Sequence, residues 1–214
     1  MTEPVHFGAF DPHAEVERTY RNLPHWFQPR VATFITFRTA DSLPQAVLRQ
    51  FERGQQDWLN RHGTHMVDLA SHSDLDREFR RYRDRQWHGH LDRGYGDCVL
   101  KRPDVAAIVG DSLRFFDGDR YDLDSFIVMP NHVHVLVQFR HPTTLRQQTR
   151  SWLQYTARRI NELIGARGPF WQSEPFDHLV RSPEQFSYLQ RYIAENPVKA
   201  RLADGMFLYW SRET

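Results

Sequence analysis

Two histidines near the middle of the sequence have a spacing that suits metal binding. They are His132 and His134, in the β-branched, apolar segment 129–137. Such a segment predicts a strand, and side chains on a strand alternate between the two faces of a sheet. Both imidazoles would therefore lie side by side on one face, where they could bind one ion. The alternative is ordinary alternation of polar residues on a half-solvated strand, since His-x-His pairs are common.

A second candidate group is a tyrosine followed four residues later by an amide. Ser182, with Pro next and Gln three positions on, predicts a helix start, and Pro197 is expected to end that helix at Asn196. Tyr192 and Asn196 would then share one helix face. Tyr188, one turn earlier, is the rival nucleophile, but it has no amide at i+4, so we favour Tyr192. A tyrosine buried in the core is the plain alternative.

These residues together suggest phosphodiester chemistry. An ion bound by His132, His134 and Asn196 would act as a Lewis acid on a non-bridging phosphate oxygen. Attack by Tyr192 would give a covalent phosphotyrosine at the 5′ side and a free 3′-OH. The covalent link conserves the phosphodiester energy, so strand transfer needs no ATP. Nitrogen and oxygen ligands together suit Mn²⁺ or Mg²⁺, and imidazole favours Mn²⁺.

A basic helix is the strongest electrostatic signal in the chain. The helix is predicted from about Thr143 to Ile164, and its outer faces carry four arginines with Glu162 as the only acid. The four are Arg146, Arg150, Arg158 and Arg159. Because the formal net charge of the chain is only +1, a nucleic-acid surface would have to come from such local segregation. An ordinary solvated helix face explains the pattern equally well.

Composition limits the class of protein. The chain has 214 residues and one cysteine, Cys98, so an internal disulfide and a cysteine-based zinc site are excluded. The acidic N-terminal segment does not look like a signal peptide, and no apolar stretch is long enough to cross a membrane. We therefore expect a cytoplasmic protein with no membrane association.

The order of predicted elements indicates the fold class. Strands are expected at about 31–39, 120–129, 131–140 and 176–181, with helices between and after them. This order predicts an α+β, ferredoxin-like split βαβ sandwich with a central antiparallel sheet and a helical insertion after strand one. We expect an N-terminal arm at 1–24 and a single domain at 25–214, with the insertion at about 64–118.

The segment 126–137 resembles the His-hydrophobic-His (HUH) signature of single-tyrosine DNA transposases. It is most similar to the REP-associated tyrosine transposases, which act on repetitive extragenic palindromes. Further similar blocks follow in the family's order at 155–161, 170–172, 176–181 and 191–200. A single His-x-His pair is weak evidence, whereas several ordered blocks over most of 119–200 are strong evidence.

The resemblance implies a metal-dependent endonuclease and strand transferase that acts on single-stranded hairpin DNA. His132 and His134 match the metal-binding pair, Tyr192 matches the nucleophile, and Asn196 matches the polar residue that completes the site. The four arginines of the basic helix are candidates for contacts with the DNA backbone.

The resemblance bears on four other positions. His178 and Arg181 match family positions to which we assign no role, because strand packing and a phosphate contact both fit them; Arg181 is kept as a candidate for DNA contact. Trp171 could stack on an unpaired base, although a core role is at least as plausible. Arg201 departs from the family because a glycine commonly stands there, which leaves the path of the C-terminal tail open.

Two other functions fit the same residues. The chain could be a domesticated DNA-hairpin-binding protein without turnover, or a metal phosphodiesterase that acts on RNA with water as the nucleophile. We favour a monomer over a homodimer because the insertion could cover the edge used for pairing. A second pair, His88 and His90, lies in a polar segment without a strand, so we expect no metal there.

Overall fold

The chain folds into two compact units, residues 1–40 with 98–214 and residues 41–97. The computed structural model describes residues 5–20, 24–43, 45–66, 68–69, 72, 74–79, 81–82, 86 and 95–212. The pair His88 and His90 lies outside these residues. The second unit starts and ends earlier than the insertion expected at about 64–118. The helix at 103–114, expected within that insertion, belongs to the first unit.

The first unit is built on a five-stranded antiparallel sheet. Its strands are β3 (Ala32–Arg38), β4 (Tyr121–Val128), β5 (His132–Phe139), β6 (Phe176–Leu179) and β7 (Leu208–Ser211). The spatial order is β6-β3-β5-β4-β7. A separate hairpin pairs β1 (Glu17–Tyr20) with β2 (Pro24–Phe27). Without β7, the order matches the ferredoxin-like arrangement, in which the fourth, first, third and second strands lie side by side, so the predicted α+β class is confirmed.

Helices cover both faces of this sheet. They are α2 (Pro103–Arg114), α3 (Pro142–Ile164) and α4 (Pro183–Lys199), with a short 3-10 turn at Val99–Lys101. The second unit begins with α1 (Gln45–Arg61). Its buried apolar cluster consists of Trp58, Leu59, Leu69 and Phe79.

The alternation predicted for β5 is confirmed. Val133, Val135 and Val137 pack in one cluster with residues of α2 and α3. Leu136 packs in another cluster, with Leu189 and Ile193 of α4. The alternative of a half-solvated histidine face does not hold, because every residue of β5 is buried. The site face is therefore an interior layer between the sheet and α4.

The end of α4 differs from the prediction. Proline removes one helical N–H, so Pro197 was expected to stop the helix at Asn196. The helix instead continues through Pro197 to Lys199. Capping bonds close the last turn: the N–H of Arg201 donates to Val198 (3.0 Å) and the N–H of Leu202 donates to Pro197 (2.9 Å). Asn196 is therefore inside the helix and not at its frayed end.

Two β elements were not expected. The hairpin β1–β2 occupies part of the proposed arm at 1–24, and β7 pairs with β4 at the edge of the sheet. The described part of the arm is also hydrogen-bonded to β3, since the N–H of Ala32 donates to the carbonyl of Gly8 (2.8 Å). Among the described residues, no helix combines the length and hydrophobicity that a membrane span requires.

Candidate active site

The two histidines of β5 are held next to each other in the layer beneath α4. His132 is 1% exposed and His134 is 0% exposed. Their ring centroids are 4.7 Å apart. The Nδ1 atom of His132 is 2.8 Å from Asn131 Oδ1, and that of His134 is 2.8 Å from Thr36 Oγ1. A metal-binding imidazole usually has its second nitrogen bonded in this way, because the bond sets the orientation of the ring.

The contact with Asn131 also determines where the proton of His132 lies. An amide oxygen only accepts hydrogen bonds, so Nδ1 of His132 must be the donor. In the neutral ring this leaves the lone pair on Nε2, the nitrogen that would then be able to bind a metal. The hydroxyl of Thr36 can donate or accept, so it orients His134 without selecting its tautomer.

Helix α4 brings Tyr192 to the same place. The ring centroid of Tyr192 is 5.3 Å from that of His134 and 6.1 Å from that of Phe34. The position of the helix is set at its start, where Ser182 caps it by accepting a hydrogen bond from the N–H of Gln185 (3.2 Å). It is also set in its middle, where Gln190 Nε2 donates to Asp124 Oδ1 of β4 (2.8 Å). These contacts tie the tyrosine helix to the sheet that carries the histidines.

Asn196 is the candidate ligand whose own hydrogen bonding is incomplete. It is 2% exposed, and its Oδ1 is buried with no hydrogen-bond partner among the described residues. A buried acceptor left unsatisfied costs about 1–3 kcal/mol, and a bound cation would remove that cost. Over the described part of the chain, no three His, Cys, Asp or Glu side chains are grouped to hold a metal. The candidate donor set is instead two imidazoles and one amide, which fits a divalent ion with open positions.

Two further side chains on this face were not singled out from the sequence. Thr36 faces His134 across the β3–β5 pair, and Arg38 faces His132. Arg38 is 6% exposed, and its Nη2 donates to Gln172 Oε1 (2.6 Å). Burial lowers the pKa of Arg38 to about 9. Only the strand register could have revealed these two residues, and the sequence does not specify the register.

His178 lies on the same sheet face as the two histidines, on β6, which is separated from β5 by β3. It is paired with Phe34 in the β3–β6 register. Its ring centroid is 5.3 Å from that of Phe34 and 5.8 Å from that of Phe176. These contacts make His178 part of the aromatic packing around Phe34.

The basic residues of α3 lie away from the histidines, because α3 packs on the opposite face of the sheet. Arg146 and Arg150 are exposed and line a groove of about 830 Å³ beside the hairpin β1–β2. Arg158 and Arg159 are exposed and pair with Glu162 at 3.0 and 3.6 Å.

The two remaining predicted contact residues lie in different settings. Trp171 is 6% exposed, and its indole N–H donates to Thr156 Oγ1 (2.8 Å), which favours the core role. Arg181 is exposed and immediately precedes the capping residue of α4. The structure thus brings Tyr192 next to His132 and His134 and separates them from the arginines of α3. Asn196 lies one turn after Tyr192 on α4 and is buried.

The groove beside α3 contains a histidine between two carboxylates. His25 on β2 bonds through Nδ1 to Asp177 and through Nε2 to Glu174, the latter at 2.8 Å. Burial alone would lower the pKa of His25, but the two acids outweigh it and raise the pKa to about 9. The charged imidazole therefore links β2 to β6.

Comparisons with known proteins add little. No family model and no curated protein matches the chain. A solved structure of a REP-associated tyrosine transposase bound to a REP hairpin is similar to the chain at 13% identity and a TM-score of 0.37. The similarity covers 85% of this chain and 73% of that one. Similarity at this level assigns no function.

Proposed function

We propose that the chain is a metal-dependent single-stranded DNA endonuclease and strand transferase, a transposase that acts on hairpin or palindromic DNA. The supporting observation is that Tyr192 of α4 lies against His134, which is buried beside His132. Asn196, one turn further along α4, is buried with an unsatisfied amide oxygen. The histidines come from β5 and the other two residues from α4.

In this proposal His132, His134 and Asn196 are ligands of Mn²⁺ or Mg²⁺. Asn131 and Thr36 hold the imidazoles in place, and Asn196 offers its buried amide oxygen. The bound ion supplies Lewis-acid polarisation of a non-bridging phosphate oxygen.

Tyr192 is the proposed nucleophile. Its Oη forms a bond to phosphorus while the bond from phosphorus to the 3′ oxygen breaks. The phenol proton goes to solvent or a nearby base, and the departing 3′ oxygen takes up a proton. The product is a 5′-phosphotyrosine and a free 3′-OH. Attack by another 3′-OH on the phosphotyrosine reverses the chemistry and transfers the strand.

The DNA would contact more than one side of the first unit. Arg146 and Arg150 line one groove and offer adjacent guanidinium groups to backbone phosphates. Arg181 is exposed next to the start of the tyrosine helix and can contact the single-stranded part. We propose a monomer, because one chain supplies both the histidines and the tyrosine.

The test uses purified protein and single-stranded hairpin DNA from the flanks of its own gene, with Mn²⁺ or with EDTA. A denaturing gel should show a covalent adduct with wild type only when Mn²⁺ is present, and none with Tyr192→Phe. Tyr155→Phe is a matched control, because Tyr155 is 53% exposed on α3 and should leave the adduct intact.

Other results would favour the alternatives. An adduct that persists in Tyr192→Phe would overturn the assignment of the nucleophile. Tight hairpin binding without any adduct would favour a domesticated binding protein. Metal-dependent RNA cleavage by Tyr192→Phe would favour a phosphodiesterase that uses water.

A further inference from the structure

Tyr188 is an exposed aromatic side chain on the tyrosine helix. It lies one turn before Tyr192 and is 56% exposed. Its ring centroid is 6.3 Å from that of Tyr192, and the two ring planes differ by 24°. This is the geometry of an offset-stacked pair. Tyr188 thus rests on the candidate nucleophile while much of its ring remains open to solvent.

The packing of α4 does not require Tyr188. The helix is anchored to the sheet by Leu189 and Ile193, which are 5% and 0% exposed and pack with Leu136 of β5. Tyr188 lies outside that buried stripe. Within the described part of the chain, its one aromatic contact is with the neighbouring candidate nucleophile, so the rest of the ring is available to a ligand.

Positive charge lies close to this pair of tyrosines. Arg191, three residues after Tyr188, is exposed on the same helix. Lys199 places Nζ 5.5 Å from the centre of the Tyr192 ring, although it also pairs with Glu195 at 3.1 Å. An open aromatic ring with nearby cations suits an unpaired nucleotide, whose base stacks on the ring while its phosphate contacts the cation.

We propose that Tyr188 is a stacking platform for an unpaired base next to the phosphate that Tyr192 attacks. This inference rests on the proposed function for the identity of the substrate, single-stranded DNA. The base would stack on the open face of Tyr188, as Tyr188 stacks on Tyr192. This stacking would fix which phosphate of the DNA strand lies next to Tyr192 Oη. The platform would accept any base, because every base has an aromatic face. Tyr188 would thus be a positioning residue.

The experiment measures binding without cleavage. Hairpin DNA from the gene's flanks carries 2-aminopurine at successive positions of its single-stranded part, and EDTA is present throughout. Fluorescence quenching reports stacking at each position, and anisotropy gives the dissociation constant. The variants are Tyr188→Ala, Tyr188→Phe and Tyr188→Trp, with Tyr155→Ala as the control for an equally exposed tyrosine on the other face of the sheet.

We expect quenching at one position adjacent to the cleavage site. Tyr188→Ala should lose that quenching and bind about tenfold more weakly, within the range measured for loss of one stacked base. Tyr188→Phe and Tyr188→Trp should retain both the quenching and the affinity of wild type. The covalent adduct should survive in Tyr188→Phe. Thermal melts of the variants should match wild type, since the side chain is exposed.

Several outcomes would overturn the inference. They are unchanged quenching and affinity in Tyr188→Ala, an equal loss in Tyr155→Ala, or loss of the adduct in Tyr188→Phe. Failure of the proposed function looks different: there the wild type forms no adduct with Mn²⁺, whatever Tyr188 does to binding. If wild type does not bind the DNA at all, both proposals fall.

Discussion

At the scale of single residues, Asn196 is the clearest sign of function. An amide buried to 2% exposure with an unpartnered oxygen among the described residues is a cost to the fold. Proteins tolerate such a cost mainly at functional sites. Nothing in the sequence pattern separates this amide from any other helical asparagine, except its distance of four residues from Tyr192.

This property predicts opposite effects on stability and on metal binding. Asn196→Leu removes the buried polar group while keeping its approximate size, so the metal-free protein should be as stable as wild type or more stable. The same variant should lose most of the rise in melting temperature that Mn²⁺ causes in wild type. Thermal melts with and without Mn²⁺ test this, and an undiminished Mn²⁺ effect in Asn196→Leu would remove Asn196 from the ligand set.

A second prediction at this scale concerns His25 and pH. The pKa of His25 is raised from 6.5 to about 9 in the folded chain by Asp177 and Glu174. Its contribution to stability should therefore be complete below about pH 6.5 and should be lost as pH rises towards 9. Melting temperatures of wild type and His25→Gln, measured from pH 6 to pH 10, should converge over that interval. A constant difference across the whole range would contradict this assignment.

At the scale of elements, the C-terminal end of α4 has a residue in an unfavourable conformation. Arg201 has φ of 53°, and the bonds from Arg201 and Leu202 form the turn that usually places glycine at this position. The left-handed conformation costs a residue with a side chain about 1–2 kcal/mol, and glycine adopts it freely. The sequence left open how the chain continues after α4, because arginine replaces glycine at position 201. The chain makes the turn that glycine usually allows, with Arg201 in the left-handed conformation.

Replacing Arg201 should stabilise the chain. We expect Arg201→Gly to raise the free energy of unfolding by about 0.5–1 kcal/mol, because part of the gain is offset by greater freedom of the unfolded chain. Ala200→Gly is the control: Ala200 has φ of −81°, so glycine there should destabilise. Chemical denaturation gives both values. If Arg201→Gly destabilised as much as Ala200→Gly, the strain at Arg201 would be excluded.

The elements with strong periodicity were predictable, and those that depend on tertiary contacts were not. The alternation in β5 could be predicted from the sequence, and it places the two histidines on one face. The capped start of α4 could also be predicted, and helical spacing then places Tyr192 and Asn196 on one face. The register that sets Thr36 against His134 depends on which strands pair. The continuation of α4 past Pro197 depends on bonds from Arg201 and Leu202, and β7 depends on packing such as that of Trp210 on Phe126.

At the scale of the whole molecule, one chain supplies both the histidines and the tyrosine of the candidate site. Tyr192 lies against His134 of the same chain, so no exchange of the tyrosine helix between subunits is needed. This arrangement is the basis for proposing a monomer. It also means that DNA bound along α3 must reach the opposite face of the sheet.

A complementation experiment tests this arrangement. Tyr192→Phe and His134→Ala are each expected to form no adduct, and a co-expressed mixture should also form none if each site uses one chain only. Each variant alone provides the baseline, and wild type shows the maximum. Recovery of adduct in the mixture would require a site shared between chains and would contradict the monomer.

The most direct test of the central claim is to identify the residue that carries the nucleotide. After incubation with Mn²⁺ and hairpin DNA, the adduct is trimmed with nuclease, digested with trypsin and analysed by mass spectrometry. Cleavage after Arg181, Arg191 and Lys199 places Tyr188 and Tyr192 on separate peptides, 182–191 and 192–199. The proposal predicts a nucleotide phosphate on the peptide 192–199, at Tyr192. A nucleotide on the peptide 182–191, or on neither, would contradict it.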